Sequence, residues 1–161
     1  MHITIYGITE DPENMDSLTE SDIDEDTYAA YYYDYWHQIE KPLSTLAEWF
    51  AEEIGGKEHR GITIGEDDTG CYLQFTEEAL NDYFHEMYVA FREAVKDLDQ
   101  VKESQMRSWI EPAYRLKAIM GDDFGTKVYD YYNGWLTVVD FMRYANAGKK
   151  YYVVGALDAH Q

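Results

Sequence analysis

The stretch that decides the fold is residues 61–97, GITIGEDDTGCYLQFTEEALNDYFHEMYVAFREAVKD. It opens with two short β-prone runs, 61–65 and 71–75, separated by the turn-forming residues EDDTG, which predicts a β-hairpin. Thr76 follows as a helix N-cap, and the spacing predicts a helix over 77–97. A hairpin that leads directly into an amphipathic helix is typical of an α+β domain. The apolar positions of this helical pattern are Leu80, Phe84, Met87, Phe91, Val95 and Leu98.

Upstream of the hairpin, the pattern predicts a strand, an acidic loop and a helix. Residues 2–8 alternate and are rich in β-branched side chains, as in a strand. Residues 9–27 are polar and acidic, and we expect an exposed loop or short helical turns. An aromatic cluster at 28–39 leaves its secondary structure open. Ser44 or Thr45 then caps a short helix that Gly55-Gly56 ends, with an apolar face made of Leu46, Trp49, Phe50 and Ile54.

Downstream of the hairpin and helix, the pattern is less regular. A second helical stretch is predicted from about 100 to 120, with Pro112 as a kink or restart and Gly121 as its end. Residues 127–132 read as a strand, and Asn133-Gly134 is a strong turn signal.

Two structures are open after that turn. One is a strand over 135–139, and the other is a helix over 138–145 that Thr137 caps with Asp140 three residues later. We favour the helix, and we expect a final strand over 150–157. Residues 1–161 are therefore predicted to form a single α+β domain, with a small mixed or antiparallel sheet packed against two to four helices.

The charge is the unusual property of this chain. Thirty-two Asp and Glu face 13 Lys and Arg, which gives a net charge of −19. Residues 1–60 carry 15 acids and 3 bases, whereas residues 126–161 carry 3 acids and 4 bases. Folding gives no reason to accumulate such a charge, because self-repulsion works against the compact state. A field of this sign repels nucleic acid and anionic membranes and attracts basic protein surfaces.

Composition indicates the class of protein. Apolar residues make up 45% of the chain and aromatic residues 16%, which is too many for a disordered acidic tail. The single cysteine, Cys71, excludes an internal disulfide and favours a reducing compartment. The first residues lack the pattern of a signal peptide, and no apolar run approaches the roughly 20 residues of a membrane helix. We expect a cytoplasmic protein that binds neither nucleic acid nor membranes.

Motifs for catalysis and metal binding are missing or broken. There is no nucleophile elbow, phosphate-binding loop or C-x-x-C pair, and the zinc motif that His85-Glu86 begins fails at Val89. Cys71 lies in a predicted strand, which favours a buried structural thiol. The calcium-loop spacing of Asp22, Asp24 and Asp26 breaks at Thr27 and Tyr33. The five histidines show no paired spacing. We predict no enzyme, no cofactor and no dedicated metal site.

Two acidic surfaces are the candidate binding sites. Along helix 77–97, a step of 100° per residue puts five carboxylates within an arc of about 100°, opposite the apolar face. An ordinary solvated face remains the alternative for this helix, although such faces usually interleave Lys. The second surface is residues 10–34, which hold ten acids and no Lys or Arg. The predicted partner-binding residues are Asp16, Glu20, Asp22, Asp24, Glu25, Asp26, Asp34, Glu78, Asp82, Glu86 and Glu93.

The spacing of these acids suggests what they imitate. Carboxylates one helical turn apart stand about 5–6 Å from each other. Duplex DNA sets its phosphates about 3.4 Å apart along the axis of each strand. Two acidic rows on a rigid body would therefore approximate a stretch of phosphate backbone, and a protein that grips DNA through Lys and Arg would be occupied by them.

In charge, size and tyrosine content the chain resembles the acidic DNA-mimic anti-defence proteins of phages and mobile elements, the antirestriction and anti-CRISPR proteins. The resemblance rests mainly on residues 10–34 and 77–97 and involves no shared motif. It implies a stoichiometric inhibitor in a bacterial cytoplasm, whose partner is a basic DNA-binding protein such as a CRISPR effector or restriction enzyme. It also implies a possible homodimer, for which we expect the near-neutral, Tyr-rich C-terminal part to supply the contact.

The alternative is an acidic immunity protein or antitoxin that neutralises a basic nuclease toxin. Both hypotheses use an acidic patch to steer association with a basic partner. They differ in competition, because a mimic competes with duplex DNA whereas an immunity protein binds one cognate toxin. An uncharacterised enzyme is a third hypothesis, and it would need a pocket where His and carboxylate side chains converge.

Overall fold

The computed structural model describes residues 2–15, 17–23, 33–119 and 125–160. Within these ranges the chain forms a seven-stranded mixed sheet with four α-helices, which confirms the predicted α+β class. The strands are β1 (His2–Thr9), β2 (Tyr35–Gln38), β3 (Ile62–Glu66), β4 (Cys71–Phe75), β5 (Lys127–Asp130), β6 (Gly134–Thr137) and β7 (Lys150–His160). The helices are α1 (Leu43–Gly55), α2 (Glu77–Asp99), α3 (Ile110–Ile119) and α4 (Val138–Tyr144).

The two longest strands form the centre of the sheet. The strand order is β3-β4-β7-β1-β5-β6, with β2 paired to the C-terminal half of β7. β7 runs antiparallel to β1, and β5 runs parallel to β1 on its other side. Because β1 and β5 are parallel, the residues that follow both strands meet at the same edge of the sheet.

One face of the sheet is covered by helices. Phe50 of α1, Phe141 of α4 and Leu80 of α2 pack with inward residues of the strands, among them Tyr6 and Phe75. Burying a large apolar side chain stabilises the fold by roughly 1.5–3 kcal/mol. This layer is therefore the main core, and it fixes where α1 and α2 stand relative to each other.

The other face is covered by the acidic N-terminal segment, which was predicted to be an exposed loop or short helical turns and is anchored to the sheet by buried side chains. Met15, Leu18 and Ile23 are buried there against Ile5 and other residues of β1 and β7. The apolar side chains are separated by acids, so the segment shows neither helical nor strand periodicity. In the part of it that the structure describes, the regular element is a 3-10 turn, Glu20–Asp22, which agrees with the predicted short helical turns.

Two paired glycines allow Leu18 to pack directly against the backbone of the sheet. Gly7 of β1 lies opposite Gly155 of β7, and Leu18 donates its backbone N–H to the Val154 carbonyl at 3.0 Å. A Cβ on Gly7 would stand 2.7 Å from the Leu18 Cβ atom, and one on Gly155 would stand 3.0 Å from the Leu18 carbonyl oxygen. The glycines therefore let the segment approach the sheet backbone closely.

The hairpin and the long helix form as predicted. β3 and β4 pair antiparallel around the turn at 67–70, and α2 begins at Glu77. The Thr76 side chain accepts a hydrogen bond from the Ala79 backbone N–H at 3.1 Å, which satisfies one of the free donors of the first turn. The helix runs two residues beyond the predicted end, to Asp99.

Thr137 reconciles the two structures left open near the C-terminus. β6 ends at Thr137, and α4 starts at the next residue, so both alternatives are partly right. The Thr137 side chain accepts from the Asp140 backbone N–H at 3.0 Å and donates to the Asp140 carboxylate at 2.9 Å. The helix ends at Tyr144, one residue earlier than predicted.

Other boundaries differ from the predictions. α1 begins at Leu43 after Pro42, so neither Ser44 nor Thr45 is its cap, and Trp49 is 40% exposed and not part of the apolar face. The stretch after α2 is a 3-10 segment, Glu103–Trp109, that leads into α3. Pro112 lies in the first turn of α3, where its missing N–H costs nothing. Gly121 lies outside the described residues. Within those residues, none of the helices has the length and apolar character to span a bilayer.

Candidate functional site

An acidic groove lies between α1 and α2. It encloses about 370 Å³ and is lined by Glu52 and Glu53 of α1 and by Asp82 and Glu86 of α2. Among the described residues, Arg60 is the one base in its lining, and that side chain also approaches Glu58, with 3.4 Å between Nε and Oε2. α1 contains no Lys or Arg, and α2 contains none before Arg92. The groove is therefore a concentrated negative surface built on two rigid helices.

Desolvation in the groove acts on its ionisable groups. It raises the pKa of Glu53, against a hydrogen bond from Thr126 that lowers it. Tyr83, which also lines the groove, and Tyr6 beneath it have their pKa raised to about 12 by burial and by the Glu53 charge. Both phenols therefore stay neutral, and the charge of the groove comes from its carboxylates.

The other predicted residues of α2 differ in their surroundings. Glu78 is exposed in the first turn, where the positive end of the helix dipole favours a carboxylate. Glu93 is exposed on the same helix. Asp97, which belongs to the predicted arc, accepts from Arg115 of α3 at 2.6 Å and is therefore partly neutralised. Of the acids of the predicted arc, Asp97 is the one with an ion pair among the described residues, and Glu78, Asp82 and Glu86 keep the N-terminal half of α2 negative.

The N-terminal acids that the structure describes do not join this surface. Glu20 accepts from the Gln38 backbone N–H at 2.9 Å, and Asp22 accepts from the Thr19 backbone N–H at 2.6 Å, so both carboxylates hold local structure. Asp34 is exposed beside β2. The segment that carries Glu20 and Asp22 packs on the face of the sheet opposite α1 and α2. Asp16, Asp24, Glu25 and Asp26 lie outside the described residues, and with them most of the calcium-like pattern.

Three histidines that are far apart in sequence converge at one end of β7. The rings of His2 and His160 lie 4.9 Å apart, and Tyr35 stacks on His160 at the same centroid distance. His37 lies beside Tyr35, with ring centroids 5.2 Å apart. Antiparallel pairing of the first and last strands produces this cluster, so sequence spacing does not reveal it. Among the residues that the structure describes, no three His, Cys, Asp or Glu side chains are grouped so as to hold a metal ion.

Cys71 has the structural role that the sequence predicts. It is 6% exposed at the start of β4 and belongs to the core beneath the helices. Burial, with the nearby charges of Glu66 and Glu48, raises the pKa of its thiol. Since the thiolate is the nucleophilic form, this environment disfavours reactivity.

A second concave site was not predicted from the sequence. It is a cavity of about 530 Å³ at the edge where β1 and β5 end. Glu10 and Asp11 follow β1, Asp130 ends β5, and Lys149 precedes β7. Its apolar side is formed by side chains of the main core and of α4, namely Ile8, Leu136, Phe141, Tyr144, Ala145 and Tyr151.

The polar groups of the cavity are mostly paired. Asp11 accepts from Asn14 at 2.7 Å and from the Tyr132 hydroxyl at 3.2 Å, and Lys149 forms an ion pair with Glu10. Desolvation, followed by the Asp11 contact, raises the pKa of Tyr132, and the Glu10 contact raises that of Lys149.

Asp130 is the exception among these groups. It is 7% exposed, and its Oδ2 atom accepts from Asn133 at 2.5 Å. Its Oδ1 atom is buried without a hydrogen-bond partner among the described residues. A buried carboxylate oxygen without a donor costs free energy, and with less than 1 Å² of accessible surface this atom lies behind the cavity wall.

Comparison with protein families, with curated proteins and with solved structures finds no match. The function is therefore argued from the two sites described above and from the charge of the chain.

Proposed function

We propose that this protein is a stoichiometric inhibitor that occupies the basic DNA-binding surface of a bacterial defence nuclease complex by imitating the charge of duplex DNA. The observation that carries this proposal is the acidic groove, which is lined by Glu52, Glu53, Asp82 and Glu86 and, within the described part of the chain, by one base, Arg60. The α1/α2 acidic face, defined as these four acids with Glu78, is the proposed contact surface.

The arrangement supports mimicry in two respects. Glu78, Asp82 and Glu86 follow one another at single helical turns, about 5–6 Å apart, and the α1 glutamates supply a second row across the groove. Among the described residues, the second row comes from α1. Asp16, Asp24, Glu25 and Asp26 lie outside those residues, so a contact surface over residues 10–34 stays a prediction. Both rows stand on helices anchored in the main core, so little ordering is needed when a basic surface binds.

The charge also accounts for how such a partner would be found. A surface of one sign raises association rates with an oppositely charged partner by about 10–10³-fold, and salt weakens the effect. The same carboxylates repel one another in the free protein. Binding to Lys and Arg side chains would relieve that repulsion. The charge that destabilises the free protein would therefore favour the complex.

The test is capture of bacterial nuclease complexes on the tagged protein at low salt, with and without excess duplex DNA. We expect a captured restriction enzyme or CRISPR effector that duplex DNA displaces. The triple reversal Glu78→Lys/Asp82→Lys/Glu86→Lys should abolish capture while the circular dichroism spectrum stays unchanged. The matched control reverses three exposed acids outside the face and outside residues 10–34, Glu40→Lys/Asp68→Lys/Asp99→Lys, and should retain capture.

Each result separates the hypotheses. Equal loss with both triple variants would show that net charge alone matters, and undiminished capture by the first would show that the α1/α2 acidic face is not the contact. A single captured nuclease toxin that ignores duplex DNA would replace mimicry by the immunity-protein hypothesis. Capture of no nuclease would contradict both.

A further inference from the structure

The C-terminal half of α2 continues past the main core and packs against α3. Among the described residues, those of α2 that belong to the main core stop at Phe84, and Glu86 is the last that lines the acidic groove. Beyond that point α2 contacts α3, and Asp97 of α2 forms an ion pair with Arg115 of α3 at 2.6 Å. We call residues 87–119 the helical arm, because they extend from the core as two packed helices joined by a 3-10 segment.

The helical arm exposes many large apolar side chains. It makes up about a fifth of the chain, yet it contains seven of the 13 large apolar side chains that are exposed among the described residues. The seven are Tyr88, Val89, Phe91, Met106, Trp109, Ile110 and Tyr114. Exposed apolar side chains that are grouped in this way, unlike single ones, mark interaction sites.

Helix α3 is apolar on two opposite sides, and one of them is open to solvent. Pro112 is buried and Leu116 is half-buried, so they mark the side that packs inside the arm. A step of 100° per residue puts Ile110 and Tyr114 on the opposite side, one helical turn apart. These two side chains are 43% and 66% exposed. The outer side of α3 is therefore an exposed apolar stripe.

The charge of the helical arm indicates what covers this stripe. Residues 87–119 hold five acids and six bases, a net charge of +1, which leaves −20 on the rest of the chain. Two copies of this chain repel each other wherever their acidic surfaces meet. They can approach closely where the surface is nearly neutral and apolar, and the arm is both. A basic partner has the opposite preference, because it is attracted to the acidic groove and gains little from a neutral arm.

The C-terminal part, where the sequence analysis expects a self-contact, is the alternative surface. Residues 126–161 also carry a net charge of +1, but their longest element, β7, is paired with neighbours inside the sheet. Among the described residues, the large apolar side chains that this part exposes are Tyr131, Tyr132 and Tyr144, and the Tyr132 hydroxyl already donates to Asp11. The arm therefore offers the larger set of exposed apolar side chains.

We propose that the helical arm is a self-association surface, through which two copies of this chain join in a two-fold dimer. In such a dimer the same patch serves both copies, so one apolar stripe is sufficient. Two helices from each arm would pack as in a four-helix bundle, with Ile110 and Tyr114 of both copies at the interface. The inference is independent of the proposed inhibition, since the arm excludes the acids of the α1/α2 acidic face.

Sedimentation of the protein alone, between about 1 μM and about 1 mM, measures the association without any other protein or nucleic acid. We expect the mass to rise from one chain to two, with a Kd within this range. A protein that stays monomeric up to about 1 mM would leave the arm to a different partner and would overturn the proposal. Assemblies that grow beyond two chains would also overturn it, because a two-fold contact is closed.

Two pairs of substitutions locate the contact. Ile110→Gln/Tyr114→Gln removes the apolar stripe, keeps the net charge and introduces a good helix former. It should weaken dimerisation by at least about 30-fold, as for residues central to an interface. The matched control Tyr131→Gln/Tyr144→Gln changes two exposed side chains of the C-terminal part and should leave the Kd within about twofold. Dimerisation that survives the first pair, or is lost with the control pair, would contradict the proposal.

Salt separates an apolar contact from an ionic one. Raising the ionic strength from about 0.02 M to about 0.5 M screens the repulsion between two chains of charge −19, so the dimer should become tighter by at least about threefold. Association that weakens with salt would indicate a contact between the arm of one copy and the acidic surface of another. That result would overturn the two-fold arrangement.

A readout without substitutions covers the case in which Ile110→Gln/Tyr114→Gln does not fold. Dilution of the isotope-labelled wild-type protein should shift the amide resonances of Ile110 and Tyr114 and leave those of Tyr131 and Tyr144 in place. The opposite pattern, or equal shifts at both sites, would contradict the assignment of the contact to the arm.

Discussion

Neutralising the α2 side of the acidic groove should stabilise the protein. The variant Asp82→Asn/Glu86→Gln keeps side-chain shape and helix propensity nearly constant while it removes two charges. It abolishes two like-charge pairs one helical turn apart, Glu78 with Asp82 and Asp82 with Glu86, each worth about 0.2–0.5 kcal/mol. It also removes the repulsion of both acids by Glu52 and Glu53 across the groove. The expected gain is therefore at least about 0.4–1 kcal/mol.

A gain of this size is measurable by thermal unfolding. For a domain of this length, 1 kcal/mol corresponds to about 2–4 °C, so the midpoint should rise by about 1–4 °C. The unfolding midpoint should be measured at about 0.01 M ionic strength, where the screening length is roughly 30 Å. It should then be measured again at about 1 M, where the screening length is roughly 3 Å. The difference between variant and wild type should largely disappear at the higher salt.

The control for this prediction lies on the same helix. Asp97→Asn removes a carboxylate whose partner is Arg115 at 2.6 Å, so it should lower the free energy of unfolding by about 0.2–1 kcal/mol. A higher free energy of unfolding for Asp82→Asn/Glu86→Gln and a lower one for Asp97→Asn would show that carboxylates repel one another in the groove but not at Asp97. A lower midpoint for Asp82→Asn/Glu86→Gln at low salt, or a gain that persists at 1 M, would refute the reasoning from charge.

Two further predictions concern stability. Glu53→Gln should raise the free energy of unfolding at neutral pH, because desolvation raises the Glu53 pKa and so disfavours the charged form. The stability that the protonated Glu53 contributes is complete below its ordinary pKa of 4.5 and is lost as the pH rises through the raised pKa. Unfolding curves of the variant and the wild type should therefore converge below pH 4.5. Gly7→Ala should cost about 1–3 kcal/mol in denaturant unfolding, because its Cβ would lie 2.7 Å from Leu18; a cost no greater than that of an exposed Gly→Ala change would show that the N-terminal segment is not seated there.

Local chemistry accounts for the elements that were predicted correctly. The side chains of Thr76 and Thr137 accept the backbone N–H groups that sequence spacing assigned to them. The hairpin turn and the strand patterns likewise depend on neighbours within a few residues. The sequence of helix α1 also indicates an acidic row, since Glu48 and Glu52 stand one turn apart without a base in the helix.

The features that were missed depend on contacts between distant parts of the chain. Met15, Leu18 and Ile23 are buried because Gly7 and Gly155 are paired, and no local pattern shows that pairing. The cavity exists because β1 and β5 run parallel, which brings Asp11 and Asp130 to one edge. The sequence shows which acids lack nearby bases, but only the fold shows which of them face a common space.

The pairing of β1 with β7 also sets the order in which this protein can form. Ile8 pairs with Val153 and His2 with His160, so the central strand pair is made from segments synthesised far apart in time. When β1 leaves the ribosome, neither of its pairing partners, β5 and β7, has yet been synthesised, since both lie far along the chain. The β3–β4 hairpin and α2, which need only local contacts, are available much earlier. The central strand pair therefore forms only after β7 has been synthesised and, as for other folds dominated by distant contacts, comparatively slowly.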